Sequence, residues 1–131
     1  MDVFQTPGAI SWHELMVDDL EAAKAFYSEV FGWTMEDVQM EGMDQTYTVI
    51  SVGGTNIGGM MVKSPEAAGT PSSWVDYVTV DNVDDTLQSV MSRGGQVIVP
   101  PMDIPGVGRF AQVQDAEGAV IAIMTYETPA A

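Results

Sequence analysis

The chain has 131 residues and a formal net charge of -15, with four lysines and arginines against nineteen acidic residues and no cysteine. Its length suits one domain with a real core, the missing cysteines remove disulfide and thiol chemistry, and the acidic field excludes nucleic acid as a partner. No apolar run approaches the roughly 18 residues a membrane span needs, and MDVFQTPG lacks the basic and apolar regions of a signal peptide, so a soluble, cytoplasmic protein without membrane contact is expected.

Residues 1–9 read as a polar lead-in with a turn at Pro7-Gly8. Ile10 to Val17 is β-favouring, and its alternate residues face opposite sides of a sheet. Asp18 and Asp19 offer helix N-cap oxygens, and Glu21 suits the positive end of the helix dipole. Leu20, Ala23, Phe26, Tyr27, Val30 and Phe31 then recur on one helical face, and Gly32 stops the helix. A strand is expected over Trp33 to Met40, a turn at Glu41 to Asp44, and a strand over Thr46 to Val52. A turn over Gly53-Gly54-Thr55-Asn56 leads to a glycine-rich strand, Ile57 to Val62.

Lys63 to Ser73 has linker composition. A strand over Trp74 to Val80 and a helix from about Val83 to Arg93 follow, the helix capped by Asp81 or Asn82 and stopped by Gly94-Gly95. Gln96 to Val99 reads as a strand and the proline-rich Pro100 to Gly108 as a lid or binding loop. Arg109 to Gln114 and Ala119 to Tyr126 complete the strands around a turn at Asp115 to Gly118, before a frayed tail from Glu127.

This order occurs twice. A shift of 63 residues lays WHELMVDDL over Val75 to Val83, Gly32 over Gly95, Tyr47 over Phe110 and Ile57–Met61 over Val120–Met124, without a gap. Two βαβββ copies in an α+β fold are therefore expected.

The two copies, the run DLEAAKAFYSEVFGW and the DAEG turn before the last strand resemble the vicinal oxygen chelate superfamily, the glyoxalase, bleomycin-resistance and extradiol-dioxygenase group. The WHEL start is most similar to a glyoxalase-like subgroup. The resemblance implies one domain over residues 1–131, with a first module at about 9–63, a linker at 64–73 and a second module at about 74–127. It also implies mixed, curved sheets around one shared cleft, with both helices outside. Enzymes of the family hold a divalent metal with His, Glu or Gln from the first and last strand of each module. The matching positions here are Trp12, Gly59, Val75 and Ala122, none with a donor side chain, so no metal and no cofactor are expected. His13 is no substitute, because it shares a face with Leu15 and Val17, which belong under the first helix.

On this reading the cleft carries Trp12, Glu14 and Met16 from the first strand, Tyr47, Val49 and Ser51 from the third, and Gly59 and Met61 from the fourth. Val75, Tyr77, Thr79, Phe110, Gln112, Gln114, Ala122 and Met124 are the second module's set. Small residues at 59 and 122 are expected to leave room. Such an apolar, aromatic and methionine-lined set suits a small molecule. Glu14 is the best catalytic candidate, since desolvation raises a carboxylate's pKa and suits acid–base work; beside Trp12 and Tyr77 it equally suits a ligand cation. His13 and Asp76 match under the shift and are expected as a structural pair on the outer face. Arg109 would anchor an anionic substrate or tether the adjacent loop. The expected function is metal-free binding of a small, partly aromatic or cationic molecule, by a homodimer as in drug-sequestering members of the family. The alternatives are a lyase or isomerase using Glu14 or an atypical metal site, and a structural or regulatory domain with a self-filled cleft.

Overall fold

A computed structural model describes residues 1–40 and 45–127. The turn expected at Glu41 to Asp44 and the tail beyond Glu127 lie outside the described residues. Among the described residues, eight strands and two α-helices follow in the order β1 (Ile10–Val17), α1 (Leu20–Phe31), β2 (Thr34–Gln39), β3 (Thr46–Val52), β4 (Thr55–Val62), β5 (Ser73–Thr79), α2 (Val83–Ser92), β6 (Gln96–Ile104), β7 (Gly108–Gln114) and β8 (Val120–Tyr126). The fold is α+β, with two βαβββ modules. The chain forms two compact units, Trp12–Val75 and Met1–Ser11 with Asp76–Ala131.

Local chemistry sets the helix ends. Asp19 is extended and its carboxylate accepts the Ala22 N–H, while Gly32 adopts φ 73° and returns its N–H to the Ser28 carbonyl. For α2 the cap is Asn82, which accepts the Asp85 N–H at 2.9 Å. The β3–β4 turn is tighter than the sequence predicts. Gly53 and Gly54 both have positive φ, the conformation of a two-residue hairpin turn, and β4 therefore begins already at Thr55.

In the first unit the strand order is β2-β3-β4-β1, with β1 and β4 parallel and the other pairs antiparallel. In the second the order is β5-β8-β7-β6, again with one parallel pair, β5 with β8. The register repeats residue for residue. Glu14 pairs with Gly59 and Val49 with Gly59, as Tyr77 pairs with Ala122 and Gln112 with Ala122. Each of these positions differs from its counterpart by the 63 residues of the sequence repeat.

One expected loop is a strand. Pro100 to Ile104 continues β6, and only Pro105 to Val107 remain between β6 and β7. β6 is the edge of its sheet, and its pairing with β7 shifts register between Val97 and Val99 and again between Val99 and Met102. An edge strand with bulges has outward N–H groups that need no ladder partner, so two prolines are tolerated there.

Each unit has its own core. Leu15, Val17, Ile50 and Met60 are buried beneath α1, with Leu20, Ala23 and Tyr27 packed on them. Val83, Leu87, Ala111, Val113 and Ile123 form the second core under α2. The first nine residues are docked on their own unit. Thr79 Oγ1 donates to the Val3 carbonyl at 2.6 Å, Gly8 N–H to the Thr79 carbonyl at 2.8 Å, and Phe4 meets Tyr126 edge-on at 4.9 Å.

Ion pairs tie the helices to the sheets. Lys24 of α1 reaches Asp37 of β2 at 2.9 Å, and Asp37 also accepts from Thr48 Oγ1 at 2.7 Å. Arg109 of β7 forks onto Asp84 of α2 at 2.9 and 3.1 Å and reaches Asp103 at 3.1 Å. The Arg109 guanidinium holds the Asp84 carboxyl below the usual carboxylate range, and Lys24 and Thr48 do the same for Asp37. A carboxylate with a depressed folded-state pKa contributes stability above its unfolded value of about 3.9, and that contribution is lost as pH falls through the folded value. Asp84→Asn should therefore be less stable than the parent at pH 7, and the gap should close as urea titrations are repeated toward about pH 2. A gap of constant size at every pH would show that the fork contributes through packing instead of charge.

Candidate functional site

The site begins with the alternation of β1. Leu15 and Val17 lie under α1, so Trp12, Glu14 and Met16 project from the opposite face of the sheet, and His13 is exposed on the helix side. The ladder extends this face across β4 and β3: Gly59 stands beside Glu14, Met61 beside Met16, and Val49 beside Gly59. Tyr47 lies two residues before Val49 on the same side. Ser51 follows a register shift after Ile50, beyond which the alternation is not continuous.

Three of these side chains form a hydrogen-bonded chain. Trp12 Nε1 donates to the Tyr47 hydroxyl at 2.7 Å, and that hydroxyl donates to Glu14 Oε1 at 2.9 Å. The direction follows from chemistry, since an indole N–H only donates and a phenol has a single hydrogen. The Tyr47 oxygen therefore accepts from Trp12, and its hydrogen points at Glu14. Glu14 and Tyr47 are both 8 % exposed, so the carboxylate is held largely out of water by a bonded network.

Gly59 completes the arrangement. A Cβ at this position would run into the hydroxyl and ring of Tyr47. The phenol thus lies directly over the strand glycine, and the room expected at position 59 is taken by Tyr47. The interior glycine was a legible signal of a close approach; that the approaching group is Tyr47 was not.

The second unit presents a comparable face with different chemistry. Tyr77, Ala122 and Gln112 pair across β5, β8 and β7, and Phe110 pairs with Met124, on the side away from α2. The Tyr77 and Phe110 rings lie 6.3 Å apart. Phe110 stands where the repeat puts Tyr47, and Tyr77 where it puts Glu14, so the carboxylate–phenol pair exists in the first module alone. Arg109 belongs to the helix side, where its fork to Asp84 and its contact with Asp103 make it a tether. An open recess of about 350 Å³ beside it, lined by Asp103, Pro105, Arg109 and Tyr126 among others, contains none of the side chains expected to line the cleft.

Topology, register and this sheet face define a class, and comparison with known proteins agrees. The model of the Glyoxalase/Bleomycin resistance protein/Dioxygenase superfamily matches residues 9–123. The chain belongs to this superfamily. It is 38% identical over 117 residues to "Putative glyoxylase CFP32" of Mycobacterium bovis, which covers 89% of this chain and 44% of that protein. It is 33% identical over 129 residues to "Anthracycline biosynthesis protein DnrV" of Streptomyces peucetius, covering 89% of this chain and 46% of that protein. The chain thus spans about half the length of the curated relatives it matches. Among solved structures, methylmalonyl-CoA epimerase from Mycobacterium tuberculosis superposes with a TM-score of 0.64 at 14% identity, over 92% of this chain and 89% of that one. Hypothetical protein BH1468 from Bacillus halodurans superposes with a TM-score of 0.69 at 13% identity, over 93% and 96%. At these identities the structural likeness concerns the fold alone.

The family implies a divalent metal, and the residues at its ligand positions do not fit one. Trp12 presents an N–H donor already directed at Tyr47, and Gly59 lies under the Tyr47 ring. Val75 and Ala122 are buried and apolar. Among the described residues no group of three or more His, Cys, Asp and Glu side chains is placed to hold a metal ion. No helix among the described residues is long and apolar enough to cross a membrane.

Proposed function

We propose that this protein binds a small, partly aromatic or cationic molecule without a metal, on the face of the first module that carries Trp12, Glu14, Met16, Tyr47 and Met61. The Trp12–Tyr47–Glu14 chain carries this reading. It presents a positioned carboxylate beside an indole and two thioethers, a combination that favours a flat apolar ligand with a positive or hydrogen-donating group. Lys24, Lys63 and Arg109 are engaged by Asp37, Asp18 and Asp84, and the chain's charge of -15 disfavours anionic ligands. Tyr77, Phe110, Gln112 and Met124 form the equivalent ligand-directed face of the second module.

A second reading, metal-independent lyase or isomerase chemistry with Glu14 as the base, draws support from the burial of Glu14, held in place by the Tyr47 hydroxyl, and from the glyoxylase name of a relative. Thermal melting of the metal-stripped protein against matched aromatic amines and aromatic carboxylates separates these outcomes. The binding reading expects an upward shift of the melting temperature with amines that grows with concentration, none with carboxylates, and no product. Stabilisation by carboxylates alone would refute it. Turnover in the stripped protein would establish the second reading, and stabilisation that requires added Zn, Ni or Mn would overturn both.

A further inference from the structure

The second module's sheet face away from α2 is covered at one end by the first residues of the chain. Thr79 and Tyr126 lie on that face: Thr79 pairs with Met124 across β5 and β8, and Tyr126 follows Met124 by two residues on the same strand. Thr79 Oγ1 donates to the Val3 carbonyl at 2.6 Å, and the Phe4 ring meets the Tyr126 ring edge-on at 4.9 Å. Residues 1–11 belong to the same compact unit as both partners.

Local bonds give this end its shape. The Asp2 carboxylate accepts the Phe4 N–H at 3.0 Å, and the Asp2 carbonyl accepts from the Thr6 hydroxyl at 2.7 Å and the Gln5 N–H at 3.1 Å. These bonds make a compact turn that carries Phe4. Its base is fastened to Thr79, whose carbonyl accepts the Gly8 N–H at 2.8 Å and whose N–H donates to the Ala9 carbonyl at 2.9 Å. The Tyr126 ring is held separately. Ser11 Oγ donates to the Tyr77 carbonyl at 3.3 Å, so its oxygen accepts the Tyr126 hydroxyl at 2.8 Å.

The repeat supplies a contrast. Sixty-three residues before Tyr126 stands Lys63. Its buried ammonium donates to the Thr70 carbonyl and lies 3.2 Å from Asp18, so the first module fixes the corresponding position with charge. The second module uses one ring against another, and Phe4 is 37% exposed. A turn with so little buried surface yields more readily than the sheet beneath it.

We infer that Phe4 is the end wall of the second module's face and sets the length of the molecule accepted there, which rests on the ligand-directed reading of that face proposed above. The lining defines the ligand class. Tyr77, Phe110 and Met124 offer apolar and aromatic surface and Gln112 an amide, so an uncharged flat molecule with an amide or carbonyl group fits. Two residues of strand, about 7 Å, separate the level of Tyr77 from that of Thr79. That leaves room for one aromatic ring beside Phe110, and a second ring in line meets Phe4.

Calorimetric titration of the full chain with benzamide and 4-phenylbenzamide, matched neutral amides of one and two rings, tests this. Phe4→Ala should bind 4-phenylbenzamide about tenfold or more tighter than the parent does, while its affinity for benzamide moves by less than about threefold. Asp2→Ala removes the acceptor of the Phe4 N–H and touches no residue of the face, so it should shift the same ratio in the same direction by a smaller factor. Phe4→Trp should keep the preference for the single ring. Phe4 and Asp2 are exposed, and melting curves should show all three variants folded. A general loss of packing would change both affinities together and leave their ratio unmoved. An unmoved ratio in Phe4→Ala, or no binding of either amide to parent and variant, would overturn the inference. The first module's reading stands or falls separately, on the aromatic amines and Glu14.

Discussion

Gly59→Ala is expected to destabilise the fold by about 2–4 kcal/mol, unusually much for adding one methyl group to a strand. Gly59 is not among the glycines with positive φ, and at ordinary strand dihedrals Ala is neutral or better than Gly by up to about 1 kcal/mol. The expected loss has another origin. The added Cβ meets the Tyr47 ring and hydroxyl, and forcing atoms into a packed site costs about 1–3 kcal/mol. A displaced Tyr47 also takes its hydrogen from Glu14 and its oxygen from Trp12, and a buried polar group left without its partner costs about 1–3 kcal/mol more. Part of that sum is relieved because the ring can tilt. Urea unfolding of Gly59→Ala, Tyr47→Ala and the double variant measures the coupling directly. With the ring absent, the alanine at 59 should be neutral or stabilising by up to about 1 kcal/mol, the strand value alone. A penalty at Gly59 that persists in the Tyr47→Ala background would refute the ring-over-glycine arrangement.

Why Gly59 was only half legible shows where single-strand patterns stop. The face of every β1 residue follows from Leu15 and Val17, because a strand has period two and a core has one side. The 63-residue repeat carried that logic to β5 and to the β4 and β8 pairings, so the fold was readable almost throughout. Glycine at position 59 announced a close approach. Which side chain approaches depends on cross-strand geometry and on a rotamer of Tyr47, and neither has a signature in the order of residues. The same limit explains Pro100 and Pro101. Their missing N–H groups exclude a central strand, and only the sheet order shows that β6 lies at an edge where those groups are dispensable. For Arg109, the acid that binds it was visible only once α2 and β7 were placed side by side.

The first module's polar chain gives the second large effect. Glu14→Gln should leave the protein folded, because the amide oxygen still accepts the Tyr47 hydrogen 2.9 Å away. It removes the negative charge, however, and affinity for an aromatic amine found in the melting screen should fall tenfold or more, about 1.4 kcal/mol. Tyr47→Phe is the informative partner. It keeps the carboxylate and takes away its donor, so stability should fall by about 1–2 kcal/mol while the ligand loses less affinity than with Glu14→Gln. This order distinguishes a residue that meets the ligand from one that positions it. The reverse order would place the ligand on the phenol. Unchanged affinity in Glu14→Gln would remove Glu14 from the site. Because Gln holds the same space and the same hydrogen bond, any loss it causes reports the charge and not a rearranged sheet face.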